Sequence, residues 1–414
     1  MRPALVIVHR YAGLAMAGFL FIAGLTGALL PWYDTLDAAL SPGMQRVQPA
    51  GGQPLDPLVL RARVQAQYPA ARINSVPLYV EPGRAASFSL EAGLDPVSGK
   101  PAALEDDEAF ADPYSGRVLG ARKWGDPGQG LKNLMPFIFR LHYSLALNTV
   151  GTLVMGVVAL VWVFDCFVGA WLTLPARAPA WAPARVRRKA ARSSWWARWQ
   201  PSWRVRLGRG RFKLTYDLHR AGGLWPWCLL LILALSSVAL NLPPVYRAAL
   251  GSVTPLQDNI YAGKALAQPQ FQPAMGWERG LQAGRHHMAA LAASKGFTIV
   301  REDDLRYDPY TGAWLYRVMS SRDITTKYGL TTLRFSAQDG HLLGSYLPTG
   351  ERAGDTLTTW LESLHMAALW GLPFRCCMTA AGLAVAMLSV TGVLIWARKR
   401  SGRQRLLQRS PLAL

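Results

Sequence analysis

Cysteine, acid and histidine are all sparse in this 414-residue chain. The four cysteines, Cys166, Cys228, Cys376 and Cys377, fall in or beside apolar runs. The long polar segments therefore have no disulfides and must fold on their own cores. No Cys-x-x-Cys-His occurs, which excludes covalent haem attachment of the c type. No glycine-rich phosphate loop, flavin fingerprint or nucleotide signature occurs, so the chain does not read as a binder of NAD(P)H. Asp and Glu number 25 against 45 Lys and Arg, a formal charge of +20. Histidine numbers only seven, and four of these stand at the mouths of hydrophobic segments.

Those segments set the class of protein. The chain is 51% hydrophobic, too apolar for an ordinary soluble protein of its length. Windows at roughly 11–33, 148–174, 222–243 and 376–396 reach the about 20 apolar residues that cross a bilayer. Windows so continuously apolar imply helices, which satisfy their own backbone in lipid. The first is read as a retained helix. Its run is too long for a signal-peptide core, and no small-residue cleavage site follows Pro31-Trp32-Tyr33.

The charge is uneven. Segment 175–218 carries twelve Lys and Arg against the single acid Asp217, and the tail adds Arg398, Lys399, Arg400, Arg403, Arg405 and Arg409. Segments 34–141 and 244–364 are nearly balanced. A basic excess beside helix ends marks the cytoplasmic side, so both termini and the middle loop are expected inside and the two long segments outside. Trp195, Trp196, Trp199 and Trp203 in the basic loop could stack on bases. The loop is read instead as a belt on anionic lipid with interfacial tryptophans, and no nucleic-acid partner is expected.

The chain also repeats. His9-Arg10-Tyr11-Ala12-Gly13-Leu14 matches His219-Arg220-Ala221-Gly222-Gly223-Leu224, and Leu141-His142 matches Leu364-His365. Gly116-Arg117-Val118-Leu119-Gly120 matches Gly340-His341-Leu342-Leu343-Gly344, and Gly169 and Gly392 each follow their histidine by 27 residues. The reading is two copies of helix, outward domain, helix. It gives spans at 1–33, 142–174, 219–243 and 365–397, outward α+β domains at 34–141 and 244–364, a basic loop at 175–218 and a basic tail at 398–414. Helical spacing is expected over 56–68 and 276–294, with strands at 72–80, 85–91, 297–301, 313–319 and 330–336.

Topology pairs the histidines, His9 with His219 at the inner end and His142 with His365 at the outer end. Two neutral imidazoles facing across a bundle can act as axial ligands to a haem iron. Arg10, Arg220 or Arg140 could then pair with the propionates. Zinc is the competing metal, but it takes four ligands and neither pair has an obvious second pair nearby. Gly13, Gly18, Gly24, Gly27, Gly151, Gly156, Gly222 and Gly223 suit either a flat cofactor or close helix packing. Asn148 and Arg375 separate the outer histidines from their apolar cores. Either the connecting stretches bend, or an intermediate carrier is needed; Trp32, Trp162, Phe164, Trp225 and Trp227 are available, though they also suit interfacial anchoring. His286, His287 and His341 are weaker ligand candidates.

These motifs, with the Asp-Pro-Tyr-Ser/Thr-Gly turns at 112–116 and 308–312, resemble the PepSY-associated transmembrane family of bacterial inner-membrane proteins. The resemblance runs from His9 to Trp396 and implies four transmembrane helices with two periplasmic PepSY-like domains. Within that family the chain is similar to siderophore reductases of the FoxB type. That likeness implies two b-type haems on His9, His219, His142 and His365. It also implies reduction of a ferric siderophore with electrons from a quinol or cytoplasmic donor. A non-catalytic binding or regulatory protein and a siderophore permease are the competing readings.

Overall fold

The computed structural model describes residues 2–48, 52–94, 99–176, 183–185 and 193–409. Much of the basic loop, including Arg177, Arg187, Arg188, Lys189 and Arg192, lies outside the described residues. The chain divides into a helical unit (1–31, 140–246 and 364–414) and an α+β unit (32–139 and 247–363).

Chain order gives helices α1 (Arg2–Leu29), α2 (Tyr33–Leu40), α3 (Pro42–Gln45), α4 (Pro57–Gln67), α5 (Leu134–Ser144) and α6 (Asn148–Thr173). There follow α7 (Trp195–Trp199), α8 (Arg211–Leu224), α9 (Trp227–Asn241), α10 (Pro243–Gly251), α11 (Trp277–Lys295), α12 (Ala353–His365) and α13 (Gly371–Arg409). Among the described residues, three helices are long and apolar enough to cross a membrane, and the α8–α9 pair makes a fourth span if counted as one. That third span was expected as a single helix over 219–243. It is two helices bent by 68°, because Pro226 has no amide hydrogen to continue the ladder.

Small residues let the spans approach. A Cβ on Gly24 would lie 2.7 Å from the Gly382 carbonyl oxygen, and one on Gly382 would lie 2.7 Å from that of Gly24. Backbone therefore meets backbone where α1 crosses α13, so Gly24 serves helix packing. Thr379 adds an interhelical hydrogen bond to the Ala28 carbonyl at 3.1 Å.

Two further breaks sit directly after the histidine helices. Leu145, Ala146 and Asn148 follow α5, and Ala367 and Trp370 follow α12. They are all the left-handed non-glycine residues among those described, with φ between 49° and 57°. Such residues cost about 1–3 kcal/mol each and persist where surrounding packing over-determines them. The chain therefore turns directly after each histidine helix.

The α+β unit forms one core from both polar segments. Asp56 caps α4 by accepting from the Leu58 and Val59 amides at 2.9 and 3.2 Å, with Pro57 at the first helical position. Leu60 and Val64, one turn apart, face inward. The strands are β1 (Ala71–Arg72), β2 (Ser75–Pro77), β3 (Ala86–Ser89), β4 (Glu91–Ala92), β5 (Glu108–Ala111), β6 (Val118–Arg122), β7 (Ile299–Asp308), β8 (Ala313–Ser320), β9 (Thr331–Ser336) and β10 (Leu342–Tyr346). They form a five-stranded sheet in the order β10-β9-β8-β7-β2, a three-stranded sheet β3-β5-β6 and the pair β1-β4. Strand β2 thus crosses from the first segment to pair with β7 of the second. Val64, Ile73, Val76 and Phe88 share a core with Leu305, Trp314, Tyr316 and Phe335. The two outward domains expected from sequence are therefore joined through one sheet and one core.

The repeat is visible in the turns. Gly116 donates to the Asp112 carbonyl at 2.8 Å, and Gly340 donates to that of Ser336 at 3.0 Å. Both glycines have positive φ, and each turn closes the last hairpin before its histidine helix. A buried ion pair ties β6 to α2: Arg122 reaches Asp37 at 2.9 Å and Glu108 at 2.7 Å. Burial alone would depress the Arg122 guanidinium; the two carboxylates outweigh it and hold the group firmly charged.

Candidate functional site

The four helix-mouth histidines come together as two pairs in the helical unit. The ring centroids of His9 and His219 are 6.1 Å apart, with an interplanar angle of 58°. Those of His142 and His365 are also 6.1 Å apart, at 66°. His9 and His142 reach α1 at levels 17 residues apart, the latter through Thr26. At a helical rise of about 1.5 Å per residue the pairs stand about 26 Å apart along that helix.

Every imidazole is tied through Nδ1 to a neighbouring helix. His142 Nδ1 lies 3.0 Å from Thr26 Oγ1 and 3.1 Å from the Ala23 carbonyl. His365 Nδ1 lies 2.7 Å from Ser236 Oγ. His219 Nδ1 lies 3.0 Å from Thr391 Oγ1 and 3.2 Å from the Leu388 carbonyl. His9 Nδ1 lies 2.9 Å from Asp165 Oδ1. The three hydroxyls already donate to carbonyls one turn back, at Ile22, Ile232 and Met387, each at 2.7 Å. They can only accept from the histidines. The proton therefore sits on Nδ1 in all four rings, leaving Nε2 as the nitrogen with a free lone pair.

This arrangement fits a haem iron held between each pair. A metal–imidazole bond of about 2.0 Å on each side, plus about 1.1 Å from nitrogen to ring centre, separates the centroids by about 6 Å. Nδ1–H bonded to carbonyl, hydroxyl or carboxylate is the usual outer-shell support of a metal-bound imidazole. Zinc fits less well. Among the described residues, no group of three or more His, Cys, Asp and Glu is arranged to hold a metal ion.

Glycines make room for the rings. A Cβ on Gly27 would lie 3.0 Å from His142 Cε1, one on Gly392 3.2 Å from His219 Cε1, and one on Gly169 3.4 Å from His9 Cε1. The 27-residue spacing of Gly169 and Gly392 from His142 and His365 therefore has a physical meaning. Each glycine sits against the histidine of the other pair.

The arginines divide. Arg220 donates to Asp217 at 3.2 Å and to the Pro201 carbonyl, while its Nε is buried without a hydrogen-bond partner. Asp217, fully buried, also receives Arg206 at 2.7 and 2.8 Å. Arg140 donates to Asn148 at 3.0 Å, and Arg10 is half-buried. Arg375, read from sequence only as an interruption, also has a buried Nε without a partner. Sequence reasoning named the rings but missed Thr26, Ser236, Thr391 and Asp165. The signal was present for two of them, since Thr26 and Ser236 each follow the helix-opening histidine by 17 residues.

The remaining candidates lie elsewhere. His287 Nε2 is 2.8 Å from the Gly340 carbonyl, His286 is exposed, and exposed His341 pairs with Asp339 at 2.7 Å. Among the aromatic residues, Phe164 and Trp225 are exposed, and Trp227 donates to the Cys166 carbonyl at 2.9 Å. Trp162 alone of these packs on two apolar clusters. One holds Cys166 and Leu388 beside the first pair, and the other holds Leu233 and Ala367 beside the second.

Apolar spans that carry two histidine pairs define a transmembrane protein with candidate cofactor sites in its helical unit. The chain belongs to the PepSY-associated TM region family, whose model matches residues 6–399. No curated protein matches it.

Proposed function

We propose that this protein is a di-haem reductase of the bacterial inner membrane that reduces ferric siderophore in the periplasm and so releases iron. The observation that carries the reading is the hydrogen-bond pattern of the four imidazoles. Each is tied through Nδ1 to a neighbouring helix, an arrangement that keeps the Nε2 lone pair available. Two such rings at 6.1 Å have the spacing of axial ligands to one iron.

His9 and His219 hold the inward b-type haem in this reading, and His142 and His365 hold the outward one. The basic excess of the loop and tail supports an orientation with both termini in the cytoplasm. Arg220 and Arg375, each with a buried Nε without a hydrogen-bond partner, would supply donors for anionic groups of a bound cofactor. When bound, the haems supply one-electron carriers on either side of the bilayer core, and Trp162 fills the apolar interior between them. Electrons enter from a quinol or cytoplasmic reductant. Siderophore oxygens are hard and anionic and favour Fe(III), so one electron loosens the metal without breaking the chelator.

The test is direct. The purified protein is reduced anaerobically, freed of excess reductant and mixed with a ferric hydroxamate and a ferrous-iron indicator. Reoxidation of the haem band with matching ferrous indicator colour is expected. Reoxidation by oxygen only, with ferric hydroxamate inert, would remove the siderophore from the reading.

A further inference from the structure

The two histidine pairs have different surroundings, and the difference breaks the internal repeat. At the second pair, the supports correspond: Thr26 and Ser236 occupy equivalent positions and offer neutral hydroxyls. At the first pair they do not. Asp165 follows His142 by 23 residues, and its counterpart Leu388 follows His365 by 23. Leu388 can offer only its backbone carbonyl to His219, beside the Thr391 hydroxyl. Asp165 instead presents a carboxylate to His9 Nδ1 at 2.9 Å, with its side chain only 10% exposed.

We infer that Asp165 is a positioning residue that makes the His9/His219 centre the lower-potential of the two. The inference rests on the haem reading above. A carboxylate in an apolar helix is costly and needs a specific partner, and among the described residues its hydrogen-bond partner is the ring nitrogen of a candidate ligand. The charge-assisted bond would draw the Nδ1 proton toward Asp165 and give His9 imidazolate character. A more basic axial ligand stabilises the ferric state over the ferrous state and lowers the potential. The other three rings, held by hydroxyls and carbonyls, lack that bias. With haems held at both pairs, one electron given up at the His9/His219 centre and accepted at the His142/His365 centre would run downhill, outward, with no bond made or broken. The reductant that refills the inward centre is the quinol or cytoplasmic donor named above.

Spectroelectrochemical titration of the purified holoprotein at one fixed pH tests this, with low-spin ferric EPR as a second readout. Two one-electron waves are expected, and Asp165→Asn should raise the lower wave, leave the upper one in place and move the g-values of one EPR signal only. Asp165→Glu, which keeps the charge, should hold the lower wave near its original position. Two unmoved waves in Asp165→Asn, or a shift confined to the upper wave, would overturn the inference. If Asp165→Asn does not assemble, Asp165→Glu still decides: a retained low wave supports the inference, and a wave raised to meet the upper one overturns it. Absence of haem from the unaltered protein would instead strike the functional reading itself.

Discussion

His219→Ala is expected to lower bound haem from two to one per chain and to abolish electron passage to the outward side. The expectation follows from the pairing. His219 stands 6.1 Å from His9, and its removal leaves one imidazole, which takes away the bis-imidazole coordination that would hold a haem there. The second pair takes its support from Thr26 and Ser236 and makes no hydrogen bond to His219, so its haem should remain. The reduced-minus-oxidised spectrum should keep the band of one site and lose that of the other. His365→Ala should show the complementary loss. His341→Ala, at an exposed surface position paired only with Asp339, should leave both bands intact. Loss of both haems in each single variant would show that the two sites are not separate.

Gly27→Leu should empty the outward site without touching any ligand. A Cβ at position 27 already lies 3.0 Å from His142 Cε1, tighter than ordinary van der Waals contact, and the leucine branches beyond it would occupy the ring's place. Gly392→Leu should do the same to the inward site, where the corresponding distance is 3.2 Å from His219 Cε1. Alanine is the graded case. The ring must yield by tenths of an ångström, which disturbs the Nδ1 bond, and loss of such outer-shell support costs about 10- to 100-fold in metal affinity. Haem affinity of apoprotein reconstituted with hemin, measured for the Ala and Leu variants, should fall in that order. Wild-type affinity in both leucine variants would mean the rings do not sit where the cofactor binds.

Much of this was legible in the sequence for a specific reason. Four of seven histidines recur at matching points of a duplicated unit, so topology alone pairs them correctly. Two of the three supporting hydroxyls, Thr26 and Ser236, also carry a signal, at equal spacing from His9 and His219. Other features were hidden. The turns after α5 and α12 use Leu145, Ala146, Asn148, Ala367 and Trp370 in left-handed conformations, and none of these except Asn advertises such a turn. They are forced by tertiary packing, which no local propensity records. Pro226 was in view, but an apolar window reads through a proline that bends the helix by 68°. Strand β2 reads as part of its own segment because pairing with β7, more than two hundred residues away, is set by a shared core. Asp165 reads in the sequence as a lone charge inside an apolar run. Its role needed the position of His9.

The measurement that bears most directly on the central claim is a pyridine haemochrome assay on the purified unaltered protein, expressed with ample haem supply and quantified per chain. Two b-type haems per chain, with the absorption of bis-imidazole coordination, are the predicted result. A colourless protein with all four histidines intact would contradict the account, and the imidazole pairs would then be helix contacts alone.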